Sequence, residues 1–142
     1  IYTRILLDIY SSNDLNSFIN SINLTFENYT DDENNENTEL LFVINDVMNL
    51  DIKSDININF ENIFDDRSMP SIFLLNEITK SINNNNYEKF LFYSLISLNG
   101  KEWNNLHPEH LKIILNGYFN YKDGKLFRSL VLEIFKSYKF II

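Results

Sequence analysis

An all-α fold of antiparallel helical hairpins, stacked as a short α-solenoid with one extended or weakly β insertion, is the architecture this 142-residue sequence predicts. Three observations carry it. Apolar residues recur at spacings of three and four in seven segments, the pattern of helices with one buried side. Runs of Asn, Asp and Ser, with two prolines and a few glycines, punctuate those segments where caps and turns belong. The two segment pairs that open at Pro70 and Pro108 stand 38 residues apart, close to the period of helical-hairpin repeats.

Ile5, Leu6, Ile9 and Tyr10 share one helical face, which predicts a short first helix ending at Ser11-Ser12-Asn13. Ser12 or Asn13 is the expected cap of a second helix carrying Leu15, Phe18, Ile19, Ile22, Phe26 and Tyr29. Residues 30–37 hold no apolar side chain and read as a solvated acidic loop. A Ca²⁺ loop counted from Asp31 fails there, because its sixth and twelfth positions are Glu36 and Phe42 where Gly and a bidentate Glu are required. A third helix follows over residues 38–50, capped by Asn37 or Thr38, with Leu40, Leu41, Ile44, Val47 and Met48 inward.

Residues 55–64 alternate apolar and polar, the period of a half-buried strand or of an extended segment laid over the helices. Ser68 is the expected cap of the next helix, with Pro70 in its first turn and Ile72, Leu75, Ile78, Thr79 and Ile82 buried. The four asparagines at 83–86 make a turn, since Asn tolerates the left-handed backbone. The partner helix over 87–98 is expected to turn Phe90, Leu91, Ser94, Leu95 and Leu98 inward and to stop at Gly100. The final hairpin starts at Pro108 with the stripe Leu111, Ile114, Leu115, Tyr118 and Phe119 and turns at Asp123-Gly124. It closes with Leu126, Phe127, Leu130, Val131, Ile134, Phe135 and Tyr138.

Composition removes several function classes. The net charge of −8, from 20 acidic and 12 basic residues, opposes a phosphate backbone, so no nucleic-acid partner is expected. Three glycines, none in a Gly-rich loop after a strand, leave no material for a nucleotide cradle, and no cofactor is expected. The lack of Cys removes disulfides and thiolate chemistry and fits a cytosolic and a periplasmic protein alike, so localisation stays unassigned. No apolar run approaches the roughly 20 residues of a transmembrane helix. The chain opens on Ile within a helical pattern, so no signal peptide can be read, which fits a processed or truncated piece.

Ile5, Ile9, Phe18, Ile19 and Ile22 map onto Ile78, Ile82, Leu91, Phe92 and Leu95 at one constant shift near twice the hairpin period. Together with the stretch from Leu98 through Trp103 to Pro108 and the closing Leu130-Val131-Leu132-Glu133-Ile134-Phe135, the chain resembles the C-terminal ends of uncharacterised tetratricopeptide-like α-solenoid proteins of AT-rich alphaproteobacteria. The resemblance covers the last half and brings no activity with it. It implies a single repeat-like domain over 1–142 as the closing part of a longer array. The chain has no Ala for the small-residue helix crossings of tetratricopeptides, which points to a looser α-hairpin stack.

The function expected from this build is a protein- or peptide-binding scaffold or adaptor with no catalytic activity, since repeat stacks present extended grooves. The binding surface is expected on the concave face shared by several hairpins, with Trp103, Tyr118 and Tyr121 as partner-contact residues. Trp103 has a second reading, in which it staples a loop onto the core. A metal-dependent hydrolase using His107, Glu109 and His110 is the competing class. The chain supplies no Cys or third His to complete a zinc site, so His107 is expected in a helix cap and His110 on the first-turn surface. The last helix, with Lys125, Arg128, Lys136 and Lys139 beside a wide apolar face, also has the make-up of a membrane-surface helix. Its neighbour offers an equally apolar face to bury against, so a membrane surface is the lesser expectation, and the ligand shortage leaves no metal assigned.

Overall fold

The computed structural model describes residues 14–28, 36–48, 67, 69–121 and 125–138, and all regular secondary structure among them is helical. The expected helix over 1–10, the acidic loop, the alternating insertion at 55–64, Tyr29, the Asp123-Gly124 turn, Lys139 and the terminal residues 140–142 lie outside the described residues, as do the side chains of Phe26, Thr38 and Lys125.

Among the described residues six α-helices follow one another: α1 Leu15–Asn28, α2 Glu36–Met48, α3 Ile72–Asn83, α4 Tyr87–Leu98, α5 Pro108–Phe119 and α6 Lys125–Ser137. A 3₁₀ turn, Trp103–Asn105, precedes α5. The caps explain the boundaries. Asp14, rather than Ser12 or Asn13, opens α1: its carboxylate accepts from the Ser17 N–H at 2.9 Å and from the Ser17 hydroxyl at 2.8 Å. Those bonds, the backbone one first, hold the Asp14 carboxyl below its ordinary pKa. Asn37 and Thr38 fall inside the first turn of α2 instead of capping it. Ser71, rather than Ser68, opens α3 by accepting from the Leu74 N–H at 3.3 Å, which leaves Pro70 just outside the helix. The Asn turn forms as the composition predicts, with Asn85 in the left-handed region at φ 53° and Asn86 capping α4 through the Lys89 N–H. Left-handed Asn99 and Gly100 end α4, and Pro108 takes the first position of α5.

The core joins α1, α2, α5 and α6. Phe18, Ile22, Leu40, Leu41, Val43, Ile44, Val47, Leu106, Leu111, Ile114, Leu115, Phe127, Leu130, Val131, Ile134, Phe135 and Tyr138 are buried together. Each such large side chain contributes roughly 1.5–3 kcal/mol by leaving water. Edge-to-face rings of Phe18 on Phe127 and Phe119 on Phe127 fix the α1–α6 and α5–α6 contacts. Of the stripe expected on the last helix only Leu126 departs, standing exposed because it lies a step of about 100° round the helix from Phe127 and off the buried side.

Helix α5 is the central element. One flank lies along α2, where Lys112 meets Asp46 at 2.9 Å, and the other receives the α3–α4 hairpin. Glu39 of α2 also holds Arg67 at 2.7 Å, which anchors the chain as it approaches α3.

The hairpin corrects the expected faces. Ile78 and Phe90 are buried as predicted, and so is Ser94. Ile72, Thr79, Leu91 and Leu95 are exposed, while Ser81 and Ser97 are buried. The cause is the close approach of the hairpin to α5. Gly117 of α5 faces Phe90 so closely that an added Cβ would overlap the ring. Small side chains on the hairpin suit such a contact. Two of the three buried serines satisfy their hydroxyls within their own helices, Ser81 donating to the Glu77 carbonyl at 2.6 Å and Ser97 to the Ser94 carbonyl at 2.7 Å.

Candidate functional site

Two features outside the ordinary core could carry function: a buried Ser–His cluster between α4 and α5, and the bare outer face of the α3–α4 hairpin.

His110 is fully buried, which corrects its expected place on the surface. Its Nε2 lies 2.8 Å from Ser97 Oγ, and Ser97 has already committed its one hydroxyl proton to the Ser94 carbonyl. Nε2 is therefore the donor, and the imidazole is the neutral Nε2–H tautomer. Its Nδ1 and the Ser94 hydroxyl have no hydrogen-bond partner among the described residues. Burial, helped by the nearby His107, lowers the His110 pKa to about 4. A serine whose hydroxyl donates to a backbone carbonyl does not donate to the histidine as an activated nucleophile must, so the pair reads as a packing contact. The signal that places it was in the sequence only as two serines three apart, too weak to pair with a histidine thirteen residues further on.

His107 caps α5, its Nδ1 accepting from the Glu109 N–H at 3.2 Å. The two imidazoles thus serve different contacts: one closes a helix end and the other is packed under α4. Among the described residues no group of three or more His, Asp or Glu is placed to hold a metal ion.

Each aromatic candidate has an intramolecular contact. Trp103 is half-buried against the core and its Nε1 donates a long 3.4 Å bond to Glu133 Oε1. The Asn104 N–H and Ser137 Oγ, 3.3 Å apart, hold the same turn to α6. Tyr118 packs edge-on against Phe90 at 5.4 Å, and burial, with the Glu133 charge second, raises its hydroxyl pKa. Tyr121 stacks edge-on with Tyr87 at 4.4 Å, while the Tyr87 hydroxyl donates to the Asn120 carbonyl at 2.7 Å. The apolar stripe of α6 that would enter a membrane surface is the one buried in the core. No helix among the described residues is long and apolar enough to cross a membrane.

The outer face of the hairpin is different. Ile72 is 76% exposed, Leu95 72%, Phe73 65% and Phe92 60%, and Met69, Leu91 and Ile96 stand out beside them. On α4 the four residues at 91, 92, 95 and 96 fall on one side of the helix by their i, i+1, i+4, i+5 spacing. The antiparallel return brings the start of α3, with Ile72 and Phe73, beside the end of α4. Large apolar side chains scattered singly are ordinary on a surface, whereas seven concentrated on one hairpin and the residues that lead into it mark a candidate recognition surface. Periodicity did not flag it, because Ile72, Leu91 and Leu95, three of the seven, were expected inside. Comparison of the chain with protein-family models, with curated proteins and with solved structures finds no match.

Proposed function

We propose that the chain is a protein-binding module of helical-hairpin build, without a catalytic step of its own, and that the outer face of α3–α4 is its contact surface. One observation carries this: the hairpin buries its serines on α5 and turns Ile72, Phe73, Phe92 and Leu95 to solvent. An isolated protein gains nothing from that arrangement, whereas a partner that covers the face recovers the hydrophobic stabilisation left unused.

The internal sequence correspondence supports the same reading. Phe18 and Ile22, which correspond to Leu91 and Leu95 at the constant shift, are fully buried in α1 by neighbouring helices. In a short solenoid each hairpin leaves one face for the next unit or for a ligand, and α3–α4 has the face without the cover. Trp103, Tyr118 and Tyr121 then act as supports for the α4–α5–α6 junction behind the contact surface.

The test is selection of phage-displayed random peptides against the purified chain, with a Phe73→Glu/Leu95→Glu double variant as counter-target. Peptides with apolar anchors that bind the wild type and not the variant are expected. Recovery of the same peptides from both proteins, or of none from a wild type that sediments as a monomer, contradicts the reading.

A further inference from the structure

We infer that the occupant of the α3–α4 outer face is a second copy of the same chain, so that two hairpins pack against each other about a two-fold axis. The inference rests on the binding-surface reading above and adds the identity of the partner.

Charge is the first reason. Two chains of net charge −8 repel each other, and a stable contact must form where that charge is absent. Residues 67–102 hold four of the twelve basic and three of the twenty acidic residues, so the excess negative charge lies elsewhere, in residues 1–66. From Phe90 to Leu98 there is no charged residue at all. Residues 103–142 are free of that excess too, with six basic and three acidic residues, but the apolar stripes of α5 and α6 are buried in the core, so the hairpin offers an apolar face that a second acidic copy can approach. A two-fold interface sets the same patch against itself, so any charge on it would face its twin. An uncharged apolar patch is its own complement, and charge depletion is the compositional mark of an interface centre.

Area is the second reason. Seven exposed side chains, each baring on the order of 100 Å², give roughly 700 Å² on each copy. Doubling that reaches about 1,400 Å², inside the range of specific, stable protein–protein contacts. Phe73, Phe92 and Met69 are of the types enriched at interfaces, and Ile and Leu extend the apolar area around them in the hairpin. All but Met69 project from two helices that α5 holds on the opposite side, so little ordering accompanies association.

Sedimentation equilibrium of the full chain, from micromolar to hundreds of micromolar, tests this against Leu95→Glu and Ile72→Glu. Both positions are exposed, so each variant is expected to keep the wild-type helical circular dichroism and unfolding midpoint when measured dilute. The wild type is expected to reach a dimer, and each variant to associate about tenfold or more weakly. A dimer that both variants form as tightly as the wild type overturns the inference and places self-association on another surface. A wild type that stays monomeric throughout also overturns it. In that case the peptide selection decides between a different protein partner, if wild-type-specific peptides are found, and failure of the binding-surface reading, if none are.

Discussion

The four-helix core and the α3–α4 hairpin use the same kinds of residue in opposite senses. In α1, α2, α5 and α6 the large apolar side chains meet each other, and the polar ones face water. In α3 and α4 Ile78 and Phe90 are the fully buried apolar residues, and beside them Ser81, Ser94 and Ser97 are buried, with Ser97 on His110 and Phe90 on Gly117. The difference separates two uses of hydrophobic area: the core lowers the free energy of this chain, whereas the outer face of the hairpin leaves it unlowered until something docks. Substitutions that touch each region should therefore part company, and the largest effects belong to the core.

Phe135→Ala removes a fully buried ring of α6 and is expected to cost about 3–5 kcal/mol, read as a lower urea midpoint. A loss below about 1 kcal/mol would mean that α6 is not part of the core and would erase the contrast. Gly117→Ala sharpens it from the other side. Alanine improves helix propensity by about 1 kcal/mol, yet its Cβ would overlap the buried Phe90 ring, which is held by Tyr118. A net loss of about 1–3 kcal/mol is expected in thermal or urea unfolding. Stabilisation by Gly117→Ala would show that the hairpin rides loosely on α5.

The His110 contact makes the hairpin seam sensitive to acid. The folded protein keeps the imidazole neutral down to about pH 4, whereas the unfolded chain takes up its proton near pH 6.5. Below pH 6.5 the unfolded state thus binds more protons, and this contribution to stability falls as pH falls, flattening near pH 4. Between pH 7.5 and 5 the loss is about 2 kcal/mol. It is measured as the difference in pH dependence between the wild type and His110→Gln, which keeps a donor for Ser97 and does not titrate. Equal slopes for the two proteins would place a charged His110 in the folded state. The smallest effect belongs to Lys112→Ala, which removes a partly exposed ion pair with Asp46 and is expected to cost under about 1 kcal/mol, less in high salt.

The helices themselves were legible because punctuation and periodicity agreed: Pro108 with His107 before it, the asparagines at 84–86, and Gly100 after α4 all stand at helix ends. The faces of α1, α2, α5 and α6 were legible for the same reason, one stripe being apolar and the other not. Helix α4 defeated that logic. Its run Phe90-Leu91-Phe92-Tyr93-Ser94-Leu95-Ile96-Ser97-Leu98 is apolar nearly all round, so periodicity cannot tell which side is covered. What decides it is Gly117 on another helix, whose missing side chain admits Phe90 and draws the serine face inward. His110 was misplaced on the surface for a similar reason: its partner Ser97 belongs to α4, and first-turn residues are ordinarily solvated. The cap of α3 moved from Ser68 to Ser71 because two serines flank Pro70 and only geometry selects the one whose hydroxyl reaches Leu74.

The central claim is that the outer face of α3–α4 serves association and not folding. It is tested most directly by a quadruple variant, Ile72→Ser/Phe73→Ser/Phe92→Ser/Leu95→Ser, followed by urea unfolding at high dilution and sedimentation at high concentration. The dilute unfolding free energy is expected to stay within about 1 kcal/mol of the wild type, as for separate surface changes, while self-association disappears. A loss as large as that of Phe135→Ala, or an undiminished dimer, would contradict the account.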